Sequence, residues 1–143
     1  MSDVIRSYRD LRVWQKAMDL AEAVYKATEH FPDGERFGMT SQMRRAAVSV
    51  PANIAEGFGR ESSGVFVQFL RTSQGSLKEL ETHCLLAKRV DLLEKPVADE
   101  LLCRADDIGR MLGGLIRRVA ERSRNTNDGQ RITSDSAPEA RDD

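Results

Sequence analysis

Apolar residues recur at three- and four-residue steps along four stretches of the chain, a spacing that gathers them on one face of an α-helix. In the first stretch the stripe is Val13, Trp14, Ala17, Leu20, Ala21, Val24, Tyr25 and Thr28. Asp10 is placed to cap its start, and Phe31-Pro32-Asp33-Gly34 ends it with two strong breakers. A second helix is predicted over about Glu35 to Gly57, with Phe37, Thr40, Met43, Ala47, Val50 and Ile54 inward. Pro51 cannot donate to the carbonyl of Ala47 and its ring crowds that turn, which predicts a kink; the alternative is a break with a new short helix near Pro51. Gly57-Phe58-Gly59-Arg60 closes the helix, since glycine tolerates the left-handed backbone of helix ends.

The third helix is capped by Ser62 or Ser63 and runs to about Lys88, its inner face marked by Phe66, Phe69, Leu70, Ser73, Leu77, Leu80, Cys84 and Ala87. A turn over Val90 to Lys95 leads to Pro96, which suits the first turn of a fourth helix. That helix carries Val97, Leu101, Ala105, Ile108, Leu112, Leu115 and Val119. Helices of about 23 residues are each roughly 35 Å long. Matched lengths and short connections predict an all-α fold, an antiparallel up-down-up-down four-helix bundle with a kinked second helix. The fourth helix has more apolar surface than one buried stripe needs, with Ala98, Leu102, Met111 and Ile116 widening the band and Gly113-Gly114 open to a second backbone. Leu102, Met111, Gly113, Gly114 and Ile116 are therefore the candidate contacts of a homo-oligomer; the alternative is a thick monomer core.

Composition changes this picture at the C-terminus. After Arg122 the chain holds three Arg against five acidic residues and one large apolar residue, Ile132, so residues 123–143 are expected to be a disordered tail and 1–122 the bundle. The bundle then carries 19 basic and 18 acidic groups, far from the strongly basic footprint of many nucleic-acid binders. Of the 22 basic residues 17 are Arg, a bias that suits interfacial ion pairs or phosphate contacts and equally a GC-rich genome. No stretch approaches the roughly 18 apolar residues of a membrane span, and MSDVIRSYRD lacks a signal-peptide core, which predicts a cytoplasmic protein without a membrane partner.

Candidate chemistry is sparse. A di-iron bundle needs Glu from two helices and Glu-x-x-His from two more, whereas this chain offers Glu79 and His83 at a four-residue step and His30 at a helix end. Cys84 and Cys103 should lie at similar heights on neighbouring helices, by default as two buried thiols, with a redox pair as the alternative. Neither phosphate-cradling glycine loops nor a nucleophile elbow is present. No cofactor, metal or catalytic residue is assigned; an enzyme using Glu56, Glu79 and His83 ranks last. Asn53, Glu56, Arg60, Ser76 and Glu79, beside the kink and on the facing third helix, are expected to form a partly buried polar network that fixes register, with Gly75 and Ser76 allowing close helix approach.

The run from Arg44 to Gly57, followed by Arg60, Phe66, Phe69 and Gly75-Ser76-x-x-Glu79, resembles the four-helix bundle family named for proteins encoded in intervening sequences of 23S ribosomal RNA genes. Leu11-x-Val13-Trp14-Gln15-Lys16-Ala17 fits the same pattern, and the likeness covers about residues 8–120. It implies a ring of bundles, commonly a pentamer, and brings no catalytic residues. The chain is also similar to the accessory proteins of diversity-generating retroelements, which implies nucleic acid and a reverse transcriptase as partners. Candidate phosphate contacts are Arg6, Arg9, Arg12, Arg44, Arg45, Arg110, Arg117, Arg118, Arg122 and Arg124. The leading expectation is a non-catalytic helical scaffold, pentameric as the resemblance implies, binding RNA or DNA through these clusters; the alternative is a structural, protein–protein interaction oligomer whose Arg residues hold subunit contacts.

Overall fold

A computed structural model describes the backbone of residues 4–135 and the side chains of 4–125. Four helices follow one another: α1 Arg12–Ala27, α2 Met39–Phe58, α3 Ser63–Arg89 and α4 Lys95–Asp135. Each packs against its neighbours in the chain and α4 returns against α1, while among the described residues the backbones of the diagonal pairs α1–α3 and α2–α4 stay more than 8 Å apart, Cα to Cα. This is the closed square of an up-down-up-down bundle. Its core is Leu20 and Val24 of α1, Met43, Val50 and Ile54 of α2, Leu70, Leu77 and Leu80 of α3, and Ile108 and Leu112 of α4, all essentially without solvent exposure.

Helix ends depart from the expected signals. Asp10 does not cap α1; its carboxylate accepts the N–H groups of Arg6 and Ser7 at 2.9 and 3.1 Å and closes a 3-10 turn, Tyr8–Asp10, that precedes α1. The second helix starts at Met39 rather than Glu35, because Asp33–Glu35 forms its own 3-10 turn. Phe37 is consequently off the helical register and 86% exposed instead of buried. The Glu35 carboxylate accepts the Met39 N–H at 3.2 Å, satisfying one donor at the start of α2. Ser62 caps α3, accepting from the Val65 N–H at 3.3 Å. Asp91, with φ 64°, takes the left-handed position after α3 that glycine usually fills.

Pro51 is buried inside α2, which continues through it. Gly57 serves packing rather than termination: a Cβ there would lie 2.5 Å from Phe69 Cβ, so α2 and α3 approach as closely as they do only because that position has no side chain. Gly59, at the C-cap, has φ −76°, not the left-handed conformation expected of it. Gly75 allows no close approach, since nothing lies within 4 Å of the Cβ it would carry. On α4 the inward residue of the first turn is Ala98 and Val97 is exposed. Ile116 is buried in the chain's own core, while Leu102 and Met111 pack partly against it, so the surplus apolar band is largely absorbed by the bundle. Ile116 is therefore withdrawn as an oligomer contact.

The backbone of α4 continues past Arg122 to Asp135. Extending a helix that already exists avoids the costly nucleation step, so a polar segment can follow a packed one in helical form. The tail expected to be disordered over residues 123–143 is therefore corrected for 123–135, which continue α4, and its remainder, 136–143, falls outside the described residues.

Candidate functional site

The residues around Pro51 form a smaller polar network than expected, and a different one. The Asn53 side-chain amide donates to the Ser49 carbonyl at 2.8 Å and to Ser49 Oγ at 3.0 Å, and Ser49 Oγ meets Ser76 Oγ across the α2–α3 interface at 2.8 Å. One turn away, the fully buried Ser73 hydroxyl donates to the Val50 carbonyl at 2.8 Å. Ser49 and Ser73 are thus the helix-to-helix links beside Asn53 and Ser76. Glu56 and Glu79 stand apart. Glu56 accepts from the Arg60 guanidinium at 3.0 Å, both side chains more than half exposed, and Glu79 meets His83 at 3.3 Å. Among the described residues no hydrogen bond joins these carboxylates to one another or to Asn53.

Other chemistry is equally limited. Cys84 is buried and Cys103 exposed, both free, so the two expected buried thiols are one. Cys103 falls between the buried Leu101 and Ala105, on the outer side of α4. Burial, with the Glu81 carboxylate adding to it, pushes the Cys84 thiol up to about 12. Among the described residues no three His, Cys, Asp or Glu side chains are grouped to hold a metal, and no helix is long and apolar enough to cross a membrane.

The arginines differ in what they touch. Arg44 is structural: its guanidinium donates to Thr28 Oγ1 at 2.8 Å and lies 4.5 Å from the Tyr25 ring centre, which ties α2 to α1. Arg9 lies over Tyr8, at 5.4 Å, and Arg6 belongs to the turn that Asp10 closes. Arg12, Arg110 and Arg118 converge. A hollow of about 400 Å³ between α1 and α4 is lined by Arg12, Lys16, Arg104, Arg110 and Met111, with Asp107 and Ile108. It adjoins a second, of about 300 Å³, that shares Arg12, Arg110 and Met111 and adds Gly114 and Arg118. Arg117 and Arg118 extend along α4 beside Gly113 and Gly114, Arg124 is exposed further on, and Arg122 is also on the exposed side.

Lys16 and Arg104 were missed among the candidates, yet helical spacing marks both. Lys16 follows Arg12 by one turn, and Arg104, Asp107, Met111, Gly114 and Arg118 recur at three- or four-residue steps. Within the groove Arg110 is held by Asp106 and Asp107 of its own helix, and the Asp106 hydrogen bond in particular raises its pKa above the ordinary value. Arg104 is similarly bonded to Glu100 at 3.0 Å. Arg45 lies elsewhere, on the exposed side of α2.

Comparison with known proteins adds the lineage. Residues 9–114 match the family model described as 23S rRNA-intervening sequence protein. A crystal structure of a protein with unknown function from the S23 ribosomal protein family of Bacteroides thetaiotaomicron is similar to this chain, with a TM-score of 0.66 and 22% sequence identity. The likeness covers 73% of this chain and 97% of that one, and at this identity it shows the shared fold. None of the curated proteins matches the chain.

Proposed function

The chain belongs to the 23S rRNA-intervening sequence protein family, and from that premise we propose that it is a non-catalytic, self-assembling helical scaffold whose α1–α4 groove holds the phosphate backbone of RNA or DNA. The observation that carries this reading is the convergence of Arg12, Lys16, Arg104, Arg110 and Arg118 on two adjoining hollows. Guanidinium groups make bidentate bonds to phosphate oxygens and keep their charge throughout. A near-neutral molecule can bind a polyanion when its cations are gathered on one face and repeated in each copy, because weak contacts on a linked array act together.

Self-assembly, with a pentamer favoured, is part of the same proposal. Gly113, with only the flexible end of the Arg117 side chain near it, is the glycine left for a second backbone, since Gly114 lines the groove. Leu85, Leu86, Val90 and Val97, around the α3–α4 turn, are exposed apolar surface that a neighbouring copy would cover. A likeness to retroelement accessory proteins, expected from the sequence alone, would add a reverse transcriptase as a candidate protein partner.

One observation favours a purely structural oligomer instead: Arg104 and Arg110 already have carboxylate partners. Those pairs are exposed and one turn apart on a single helix, an arrangement that contributes little to stability. A phosphate diester can displace so weak a partner, and the binding reading is preferred. Fluorescence anisotropy with labelled RNA and DNA across a salt series tests it. Affinity should fall steeply as salt rises, and Arg12→Glu or Arg118→Glu should weaken binding to all sequences and flatten the salt dependence by about one unit of slope per lost contact. Absence of binding at about 50 mM salt would leave the structural oligomer standing.

A further inference from the structure

A second surface lies on α2 and α3, away from the α1–α4 groove. Phe37 stands in the turn between the Asp33–Glu35 segment and α2, 86% exposed, with the Arg36 guanidinium 5.3 Å from its ring centre. The turn is pinned: the Gly38 N–H donates to the Glu35 carbonyl at 3.0 Å and the Glu35 carboxylate accepts from Met39. The ring forms one wall of a hollow of about 330 Å³ whose other walls are Ser41, Gln42, Arg45, Ala46, Ser49 and Glu79. That volume is at the lower end of the roughly 300–1,000 Å³ of small-ligand sites.

The composition of this hollow decides what fits. A protein interface wants a contiguous apolar centre with charge at the rim. With Ser49 Oγ already bonded to Ser76 and Asn53, the ring is surrounded by two arginines, one hydroxyl, an amide and a carboxylate. An unstacked nucleotide uses each of these. Its base lies flat on the ring, its edge hydrogen-bonds to amide, hydroxyl or carboxylate groups, and its phosphate meets a guanidinium. Arg36 and Arg45 would take the phosphate; Gln42, Ser41 and Glu79 would meet the base edge. Bases inside a duplex are already stacked and cannot reach Phe37.

We propose that Phe37, with Arg36, Arg45, Gln42 and Glu79, forms a stacking site for an unpaired base of single-stranded nucleic acid. This rests on the nucleic-acid reading above and narrows it to single strands. The test is anisotropy with a labelled single-stranded RNA of about ten nucleotides and with the same strand annealed to its complement. The wild-type protein should prefer the single strand. Phe37→Ala should weaken single-strand binding about 5- to 150-fold, the range that loss of one stacked base implies, with the weaker duplex binding unchanged. Phe37→Trp should retain affinity. Because the side chain is exposed, both variants should melt as the wild type does.

The inference is overturned if Phe37→Ala leaves single-strand affinity intact, or lowers duplex binding equally, or instead changes the solution mass, which would make the ring a contact between copies. If Arg12→Glu weakens binding while Phe37→Ala does not, this inference fails and the groove stands. If the wild type binds neither form at about 50 mM salt, both fall together.

Discussion

Gly57→Ala, in the last turn of α2, and Gly75→Ala, in the middle of α3, are the same substitution and should shift stability in opposite directions. Alanine gains about 1 kcal/mol over glycine from helix propensity alone. At Gly75 nothing stands within 4 Å of the new methyl group, so the gain should appear undiminished. At Gly57 the methyl would sit 2.5 Å from Phe69 Cβ, 3.0 Å from Phe66 Cδ1 and 3.1 Å from Phe69 Cγ. Carbon atoms rest about 3.5–4.0 Å apart, so α2 and α3 must separate. No rotamer change relieves the shortest contact, because Phe69 Cβ is fixed to the backbone. Overpacking of this kind costs about 1–3 kcal/mol, and a clash between two backbone-anchored atoms belongs at the upper end. The net expectation is a loss of about 2 kcal/mol for Gly57→Ala and a gain of about 1 kcal/mol for Gly75→Ala. In a chain of this size those values correspond to a melting point about 6–10 °C lower and about 3–5 °C higher. Thermal unfolding followed by far-ultraviolet circular dichroism reads both. A Gly57→Ala variant that melts at or above the wild type would refute the close-approach argument and return that glycine to a helix-ending role.

Two further outcomes follow from the polar groups. Asn53→Leu and Ser73→Ala should each lower stability by about 1–2 kcal/mol, since each removes a hydrogen bond at the α2–α3 seam, whereas Glu56→Ala should stay within about 0.5 kcal/mol because its pair with Arg60 is exposed; urea midpoints that rank Glu56→Ala with the other two would restore the larger network. Asp99 has its pKa lowered first by the Lys95 hydrogen bond and then by that of Lys88. A depressed folded-state pKa gives stability that is present above the unfolded carboxylate value and lost as pH falls through the folded one. Asp99→Asn should therefore lose most of its difference from the wild type in acid, and melting curves offset equally at neutral and low pH would contradict this.

The bundle was legible because the core stripes of α1 to α3 repeat at the helical period, and Leu20, Met43, Leu70 and Leu77 are buried as that period requires. The errors have a common physical origin. A hydropathy pattern reports that a side chain is apolar and not whether a helix has begun: Phe37 continues the spacing of α2 on paper, but the Asp33–Glu35 turn delays the helix to Met39 and turns the ring outward. Asn53 and Ser76 could be read as members of the network because both lie beside the Pro51 seam, while Ser49, which bridges them, and Ser73 were not named as partners because a serine in a helix carries no sign of which neighbour it will meet. Glu56 and Glu79 looked like network members only while α2 and α3 were treated as facing along every turn; Gly57 draws the helices together on one side, and the carboxylates fall outside that contact.

The same geometry separates the arginines that sequence alone could not rank. Arg44 is used up by Thr28 and Tyr25 in joining α1 to α2, whereas Arg12 and Arg118 share a hollow although α1 and α4 lie at opposite ends of the folded chain. Only closure of the bundle brings those two together, so a groove of this kind is a property of the fourfold packing and not of any one helix. Loss of binding on Arg12→Glu and on Arg118→Glu should accordingly be less than additive, since either change places a carboxylate beside the remaining guanidinium in one shared site. Arg44→Glu should unsettle the α1–α2 junction instead, and be read in melting rather than in the salt slope. If Arg44→Glu melted as the wild type and flattened the salt dependence as Arg12→Glu does, charge alone would govern binding, and the groove would have no special standing among the positive residues of the surface.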